Sequence, residues 1–552
     1  MTQPEPIIKI RNLTIRLPAR AERPFAVQDV SFDVYPGEIL CIVGESGSGK
    51  SMASNAIMGL LPKPHVTISR GEILFQGRDL SKISDRDMQN IRGSAIAMIF
   101  QEPMTALNPV MKVYKQLEEV YRCHNTDLSR KDIAKHIIAM LDDVGLPDPE
   151  VIGNCYPFEL SGGQRQRVMI AMALALQPNI LIADEPTTAL DVTTQAQILT
   201  MIAALQKTRN MGVIFVTHDF GVVAEIADRV IVMQLGEIVE HGPAESILNR
   251  PKHPYTRQLI ATVPHLGAIK KPKINSDVVV TVSNLNKTYG DTGRGASGGW
   301  FRKAGRSVHA TRDVCLEIRK GETLGLVGES GSGKSTVGRC LIRLHSSNSG
   351  EVIFEGQDIL KLSKSQMMPV RKRIQMIFQD PYASLNPRRK VGDIITEGPT
   401  IHGVAKAVSW KKAEDLLQIV GMDKSSLKRY PHEFSGGQRQ RIGIARALAM
   451  DPTLLIADEA VSALDVSVQA QVLTLLNDIK IKMDLAMLFV THDLRVAAQI
   501  CDKTAVMRLG EIVEYGETYD IFHNPQHAYT KALLAAVPGK NWTVPDLSEV
   551  KD

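Results

Sequence analysis

Short, uniformly apolar runs alternate with longer amphipathic stretches along most of the chain. The first half contains EILCIVG, ILIADE and VIFVTHD, and the second contains ETLGLVG, LLIADE and MLFVTHD, all with the length and composition of buried strands. Strands that alternate with helical segments predict an α/β fold with a mainly parallel sheet and a ligand-binding edge at the strand carboxyl ends. The segment at about residues 102–159 carries helix-forming patterns and predicts a helical subdomain.

This order of elements occurs twice. The octapeptide GESGSGKS stands at Gly44–Ser51 and again at Gly328–Ser335, an offset of 284 residues that falls to 274 by SGGQRQR and then stays constant. A register that changes so little predicts a duplicated domain. We predict a first domain at residues 1–264, a polar and basic linker at 265–277, a second domain at 278–540 and a C-terminal tail at 541–552.

Composition narrows the class of protein. With 552 residues, 44% of them hydrophobic and 23% charged, the chain has the composition of a soluble globular protein with more than one core. A net charge of +5 is too small at this length to indicate a nucleic-acid partner. The six cysteines are isolated in sequence and predict neither a disulfide framework nor a structural zinc. Because we see no secretory signal and no apolar run long enough to cross a bilayer, we expect a cytosolic chain that meets a membrane only through partners.

The repeated octapeptide has the sequence and context of a phosphate-binding P-loop, between a predicted strand and a predicted helix. Its glycines let successive backbone N–H groups turn toward phosphate oxygens, and the helix N-terminus adds its dipole. The lysine is expected to neutralise the β- and γ-phosphates, and the final serine to hold Mg²⁺. The predicted nucleotide-binding residues are Gly44, Glu45, Ser46, Gly47, Ser48, Gly49, Lys50 and Ser51, and Gly328, Glu329, Ser330, Gly331, Ser332, Gly333, Lys334 and Ser335.

Two carboxylates end a buried strand in each half. Burying a pair of acids is costly unless they meet a cation or a water molecule to activate. Asp184 and Asp458 fit the coordination shell of Mg²⁺, and Glu185 and Glu459 fit the general base that orients the attacking water. A helix N-cap would account for one acid, but neither for the pair nor for its repetition.

A histidine follows the next apolar strand, in FVTHD, in both halves. Such a residue is usually a polar strand end, but its pairing with the P-loop favours a contact of His218 and His492 with the γ-phosphate. Gln101 and Gln379 are candidates to reach Mg²⁺ or the attacking water.

The SGGQ sequence precedes a predicted helix in each half, which offers a second helix N-terminus for phosphate. Joined with the P-loop, glutamine, ADE and histidine in this order, it makes the chain resemble the ATP-binding cassette (ABC) ATPases over nearly its whole length. The resemblance implies two P-loop NTPase domains, each with a RecA-like α/β core and a helical subdomain, with ATP and Mg²⁺ as cofactors. The residues it adds to ATP binding are Ser161, Gly162, Gly163, Gln164, Ser435, Gly436, Gly437 and Gln438.

The resemblance further implies that each P-loop faces the SGGQ of the other cassette. Each of the two ATP sites would then be composite, with residues from both cassettes, and the two cassettes would work as one unit. Asp191 and Asp465, in TALD and SALD, match the loop that communicates between the cassettes. Neither half lacks its general base or histidine, so we expect both sites to hydrolyse ATP.

The two halves depart from each other at two places. Tyr289 matches the aromatic residue that stacks on adenine in the family, whereas Leu17 stands at that position in the first half and Phe25 is an alternative there. DEAVSALD replaces DEPTTALD in the second half, with Ala460 and Val461 for Pro and Thr. We expect this exchange to alter loop rigidity without loss of hydrolysis.

Further motifs resemble the oligopeptide/dipeptide/nickel importer group, as a fusion of two chains that are usually separate. These are FQ(E/D)P…LNP after the glutamine and the H-x-Y-T ends of both halves. The resemblance implies an ATP-hydrolysing subunit, peripheral at the cytoplasmic face of the inner membrane, for peptides or a related solute. It implies two integral membrane permease subunits as partners and, indirectly, an extracytoplasmic solute-binding protein. No cysteine cluster follows Pro264 or Pro538, so no iron–sulfur cluster is expected.

Two other classes of tandem cassette are weaker alternatives. A soluble cassette protein that acts on ribosomes usually has a long charged helical linker and NHLD, where this chain has a short linker with TALD and SALD. A DNA-repair ATPase of the same superfamily would carry zinc-binding cysteine inserts, and this sequence contains none. The glycine-rich insert at residues 290–310 is expected to be a solvated hairpin. The alternative is a contact with a partner or with lipid headgroups, through Trp300, Phe301, Arg302, Lys303 and Arg306.

Overall fold

The strands and helices follow the duplicated order in a computed structural model. It describes residues 5–19, 21, 23–124, 127–188, 190–290, 307–462 and 464–545. Most of the predicted hairpin at 290–310 and the end of the predicted tail lie outside these residues. By contacts, the chain divides into two units: one comprises Met1–Leu190, Thr194–Val263 and Pro538–Asp552, and the other comprises Asp191–Thr193 and Pro264–Val537.

The elements of the first half begin and end as follows. The strands are β1 (Ile8–Arg16), β2 (Phe25–Val34), β3 (Ile39–Val43), β4 (Thr67–Phe75), β5 (Arg78–Asp79), β6 (Ile96–Ile99), β7 (Ile180–Asp184), β8 (Gly212–Thr217), β9 (Arg229–Gln234) and β10 (Glu237–Pro243). The helices are α1 (Lys50–Ile57), α2 (Asp85–Ile91), α3 (Pro103–Ala106), α4 (Val113–Cys123), α5 (Arg130–Asp143), α6 (Pro149–Asn154), α7 (Gly162–Leu174), α8 (Val192–Arg209), α9 (Phe220–Ile226), α10 (Ala244–Asn249) and α11 (Pro254–Ala261).

The second half repeats this order. The strands are β11 (Val278–Tyr289), β12 (Val308–Arg319), β13 (Thr323–Val327), β14 (Ser349–Phe354), β15 (Gln357–Asp358), β16 (Ile374–Ile377), β17 (Leu454–Asp458), β18 (Ala486–Thr491), β19 (Lys503–Arg508) and β20 (Glu511–Glu517). The helices are α12 (Lys334–Leu341), α13 (Lys364–Arg373), α14 (Pro381–Ser384), α15 (Val391–Ile401), α16 (Lys406–Ile419), α17 (Gly436–Leu448), α18 (Val466–Met483), α19 (Leu494–Ile500), α20 (Thr518–His523) and α21 (Ala528–Ala535).

A six-stranded sheet forms the centre of each half. Its order is β10-β9-β3-β8-β7-β6 in the first half and β16-β17-β18-β13-β19-β20 in the second. The strands are parallel except the edge strands β10 and β20, which run antiparallel to β9 and β19. Strands β3, β7 and β8 are buried along their whole length, as expected for a parallel sheet covered on both faces. The predicted α/β fold is confirmed.

A second, antiparallel sheet of four strands adjoins each central sheet, in the orders β2-β1-β4-β5 and β12-β11-β14-β15. The apolar runs did not reveal it, because its strands alternate between buried and exposed positions over only part of their length. In the first half, Ile8, Ile10 and Ile15 of β1 pack in the same core as Ile42 of β3. This core fixes the strand that leads into the first P-loop.

Helices α3–α6 and α14–α16 occupy the segments between the glutamine and the SGGQ sequence, as the helical patterns predicted. Each set packs against the helix that SGGQ begins, α7 or α17. No helix among the described residues combines the length and apolar character that crossing a membrane requires.

Candidate functional site

The first glycine-rich loop runs from the carboxyl end of β3 into α1. Gly44 and Gly49 have φ angles of +152° and +104°, values that L-residues rarely adopt. A Cβ atom on Gly44 would lie 2.3 Å from the carbonyl oxygen of Met233, and one on Gly49 would lie 2.5 Å from that of Ala26. Glycine is therefore required at both positions by close backbone approach.

The second loop, between β13 and α12, has the same construction. Gly328 and Gly333 have φ angles of +148° and +105°. A Cβ atom at these positions would lie 2.1 Å from Met507 O and 2.0 Å from Ala310 O. The two loops are thus built by the same contacts with neighbouring strands.

Each P-loop lysine is buried and bound to the start of its own loop. Lys50 Nζ donates to the carbonyl oxygens of Gly44 and Glu45 at 2.7 and 2.9 Å. Lys334 Nζ makes the equivalent bonds at 2.8 and 2.7 Å, and burial lowers its pKa. The charges of nearby carboxylates, Glu459 first among them, oppose that shift. Both lysines are thus held against the backbone at the start of their own loops.

The serine that follows each lysine meets the aspartate at the end of the ADE strand. Ser51 Oγ donates to Asp184 Oδ1 at 2.9 Å, and Ser335 Oγ donates to Asp458 Oδ1 at 2.7 Å. Burial raises the pKa of both aspartates, and the hydrogen bond from the serine opposes the rise.

These oxygens suit a magnesium ion. Asp458 Oδ2 is buried and has no hydrogen-bond partner among the residues that the structure describes. A hydroxyl and a carboxylate are the hard donors that Mg²⁺ prefers, and this ion commonly takes few protein ligands together with substrate phosphates. Ser51 with Asp184, and Ser335 with Asp458, therefore fit the predicted ion. The side-chain amides of Gln101 and Gln379 donate hydrogen bonds to the glutamates that follow these aspartates.

The glutamate after each aspartate is held by the glutamine and the histidine. Glu185 accepts a hydrogen bond from Gln101 Nε2 at 2.9 Å, and its other carboxylate oxygen lies 3.2 Å from His218 Nδ1. Its φ of +46° is in the left-handed region, which is strained for a residue with a Cβ and turns the backbone sharply after β7. The structure thus brings these three predicted residues together at the carboxyl edge of the sheet.

The second half reproduces the arrangement. Gln379 Nε2 lies 2.6 Å from Glu459 Oε2, and His492 Nδ1 lies 3.4 Å from Glu459 Oε1. The φ of Glu459 is +48°. The same strained turn therefore presents both glutamates.

The two glutamates stay ionised despite their burial. Burial acts to raise the pKa of Glu185, but the hydrogen bond with His218 and the charges of His218 and Lys50 outweigh it and hold this pKa at about 2. The pKa of Glu459 is also lowered, again because the hydrogen bond and charge of His492 overcome burial. Each carboxylate is consequently available as a proton acceptor near neutral pH.

Thr188 and Ser462 are equivalent positions that sequence reasoning missed. Thr188 Oγ1 donates to the Glu185 carboxylate at 3.0 Å, whereas Ser462 Oγ donates to the main-chain oxygen of Glu459 at 3.1 Å. Only the exchange of DEPTTALD for DEAVSALD hinted at a difference here. The side chain of Glu185 thus accepts a hydrogen bond from Thr188, whereas Ser462 bonds to the main chain of Glu459 and not to its side chain.

Each SGGQ sequence begins a helix with a capping box. Ser161 Oγ accepts from Gln164 N at 3.2 Å and Gln164 Oε1 accepts from Ser161 N at 2.9 Å, and Ser435 and Gln438 repeat this at 3.4 and 3.1 Å. Gly163 allows close packing, since a Cβ there would lie 2.7 Å from Thr194 Cγ2. The bonds of these serines and glutamines are local to their own helices.

The remaining predicted residues lie at element ends. Tyr289 ends β11, with its ring 5.7 Å from that of His345, and is 36% exposed. Phe25 begins β2. Asp191 accepts a hydrogen bond from Thr193 at 2.8 Å, and Asp465 takes the N-cap position of α18.

Comparisons with known proteins agree with this geometry. Residues 27–188 and 311–462 match the model of the family described as ABC transporter, and residues 239–288 and 513–547 match the oligopeptide/dipeptide transporter C-terminal region. The chain is 49% identical over 563 residues to the glutathione import ATP-binding protein GsiA of Salmonella typhimurium strain LT2. It is 48% identical over 568 residues to the protein of the same name from Escherichia coli strain K12.

Each of these alignments covers 96% of this chain and 89% of the relative. The matches therefore include both cassettes and both C-terminal regions rather than one shared domain. They confirm the resemblance that the motifs predicted. The chain belongs to the ABC transporter family, as a fused tandem of two cassettes of the oligopeptide/dipeptide type.

Proposed function

We propose that this chain is the energy-coupling subunit of an importer for peptides or a related small solute, and that both of its cassettes hydrolyse ATP. The observation that carries this is the complete set of P-loop lysine, serine–aspartate pair and glutamate–glutamine–histidine cluster in each half. The relatives are named for import of glutathione, a small anionic peptide, which supports a solute of this kind.

The proposed chemistry divides among the residues of each site. The P-loop N–H groups and the lysine bind the phosphates, and the SGGQ residues keep the role of ATP ligands that the family resemblance gives them. Glu185 and Glu459, already ionised, orient a water molecule and accept its proton, while the glutamine and histidine hold the carboxylate in place. The histidine also offers a donor to the γ-phosphate. When bound by the serine and aspartate, Mg²⁺ would supply charge neutralisation for the phosphates.

The partners follow from the importer function. ATP binding and hydrolysis by this chain would drive two integral membrane permease subunits. A solute-binding protein would deliver the solute to them from the extracytoplasmic side of the membrane. The chain would then be peripheral at the cytoplasmic face of the inner membrane. The ribosome-acting alternative has no support from the relatives, which are import proteins.

Purification of the tagged chain from mildly detergent-solubilised cells tests the partners. We expect mass spectrometry to identify two co-purifying multi-spanning membrane proteins, absent from untagged cells handled in parallel. Recovery of ribosomal proteins without any permease would overturn the importer function in favour of the soluble factor.

A further inference from the structure

The H-x-Y-T sequence lies near the end of each cassette, within the part that matches the oligopeptide/dipeptide transporter C-terminal region. It occupies His253–Thr256 and His527–Thr530, where helices α11 and α21 begin. In both units, the structure connects this sequence to the P-loop through a short series of hydrogen bonds.

The series starts at an edge strand in the first unit. Both carboxylate oxygens of Glu240, in β10, accept main-chain hydrogen bonds, from Lys252 N at 2.8 Å and His253 N at 3.1 Å. His253 Nδ1 in turn accepts from Tyr255 N at 3.2 Å, so the histidine is the N-cap of α11. The glutamate and histidine together fix where the first turn of the helix lies.

Tyr255, in that first turn, reaches the P-loop. Its hydroxyl oxygen accepts a hydrogen bond from the backbone N–H of Glu45 at 3.2 Å and lies 3.4 Å from Glu45 Oε2. The tyrosine is only 8% exposed, so its ring is fixed by packing. Glu45 is the second residue of the loop, immediately before the N–H groups that face phosphate in a P-loop.

The second unit repeats the series of main-chain hydrogen bonds from the edge-strand glutamate to the P-loop. Glu514 accepts from Gln526 N at 2.7 Å and from His527 N at 3.1 Å, and His527 Nδ1 accepts from Tyr529 N at 3.1 Å. The Tyr529 hydroxyl accepts from Glu329 N at 3.3 Å. Neighbouring residues differ between the two copies, since Lys252 corresponds to Gln526 and Pro254 to Ala528. The hydrogen bonds are therefore kept although their surroundings have changed.

We propose that Tyr255 and Tyr529 are positioning residues for the two P-loops, through which the C-terminal region of each cassette sets its affinity for ATP. The tyrosine fixes the start of the loop, so that the N–H groups after it converge on the phosphates. Because the loop holds these phosphates before and during hydrolysis, loss of this bond weakens both states equally and raises KM without lowering kcat. The inference rests on the proposed function, since it assigns ATP to these loops.

The test uses the full-length chain with Y255F, Y529F and the double variant. Phenylalanine keeps the buried ring and removes only the hydroxyl. This hydroxyl accepts from the P-loop N–H in both cassettes, and that of Tyr255 also donates to Glu45 Oε2. We expect each loop's affinity for a fluorescent ATP analogue to fall about three- to tenfold, and KM for ATP to rise similarly in the double variant with kcat within twofold of wild type. Y515F is the matched control, because Tyr515 also lies in the C-terminal region and its hydroxyl donates to a main-chain oxygen, Glu317 O, at 3.2 Å.

Equal ATP affinity in the double variant, Y515F and wild type would overturn the inference, and so would a fall in kcat at constant KM. A purely structural tyrosine would lower the melting temperature in Y529F and Y515F alike without moving KM. Lys334→Ala separates this failure from failure of the proposed function. If Lys334→Ala loses ATP binding at the second loop while Y529F keeps it, only the inference fails, whereas normal ATP binding by Lys334→Ala contradicts the site itself.

Discussion

Glu185 and Glu459 are equivalent in sequence but differ in their immediate partners. Both accept a hydrogen bond from a glutamine and lie beside a histidine, and Glu185 alone takes a further bond from the threonine hydroxyl of Thr188. The added donor helps to hold the pKa of Glu185 at about 2. The pKa of Glu459 is also lowered, so both groups remain carboxylates at neutral pH, as the proposed role of general base requires.

We expect Glu185→Gln and Glu459→Gln each to lower steady-state ATPase strongly. The amide fills the same space, but it has no basic oxygen to take a proton from water, a contribution of about 10²- to 10⁴-fold to the rate of a site. Binding of a fluorescent ATP analogue should persist in both variants, because the P-loops are unchanged. Glu245→Gln, at an exposed position in α10, is the control. Near-wild-type turnover in either active-site variant would contradict the prediction of two active sites.

The segments that follow Gln101 and Gln379 differ between the cassettes in the side chains that hold their first helix, α3 or α14. In the second cassette, the Arg439 guanidinium lies 3.6 Å from the centre of the Tyr382 ring, and Arg446 donates to Ser384 O. Two arginines thereby fix α14 on α17, the helix that SGGQ begins. In the first cassette, methionines take the places of the tyrosine and of the second arginine, at Met104 and Met172.

We therefore expect Arg446→Met to loosen α14 in the second cassette. The variant takes the charged donor away from the carbonyl of Ser384, a half-buried residue, and a hydrogen bond of this kind contributes about 1.5–3 kcal/mol. Hydrogen exchange of peptides covering residues 380–386 should become faster, and hydrolysis should slow because Gln379 precedes this segment. Met172→Leu, at the equivalent place in α7, should leave exchange of residues 102–108 unchanged. Unaltered exchange in Arg446→Met would show that packing alone holds the segment.

The sequence predicted the strands that lead into the candidate site residues better than it predicted the elements around them. Strands β3, β7 and β8 were predicted because their apolar runs are buried on both faces, and the P-loop, ADE and THD residues directly follow such strands. The antiparallel sheet was missed because β1 pairs with β4, which lies more than fifty residues away, and no local pattern encodes that partner. Likewise, H-x-Y-T identified a family, but its contact with the P-loop joins residues 210 positions apart.

The segment that joins the two copies packs on the second unit. Leu266 lies against the core of that unit, and Ala268 is 4% exposed. Lys271 Nζ donates to Ile500 O at 2.9 Å and lies 3.4 Å from Asp502 Oδ1. The polar composition that predicts a linker does not reveal this docking, because a single lysine bound to a helix end leaves no periodic pattern.

The ion pair between Lys271 and Asp502 should contribute measurably to the stability of the second unit. The carboxylate of this aspartate also accepts from Thr323 N at 2.8 Å and from Lys480 Nζ at 3.1 Å, so Lys271 is one of three donors around a nearly buried acid at the start of β19. We expect Lys271→Ala to remove about 1 kcal/mol of local stability, the usual net contribution of one such bond.

Hydrogen exchange of peptides covering residues 494–503 should then become about fivefold faster in Lys271→Ala, with the rest of the second unit unaffected. Lys273→Ala removes an exposed lysine two positions along the same segment and should leave exchange as in wild type. Identical exchange in both variants would mean that Thr323 and Lys480 suffice to hold Asp502. The segment would then connect the copies without stabilising the second, and its fixed position would come from Leu266 and Ala268 alone.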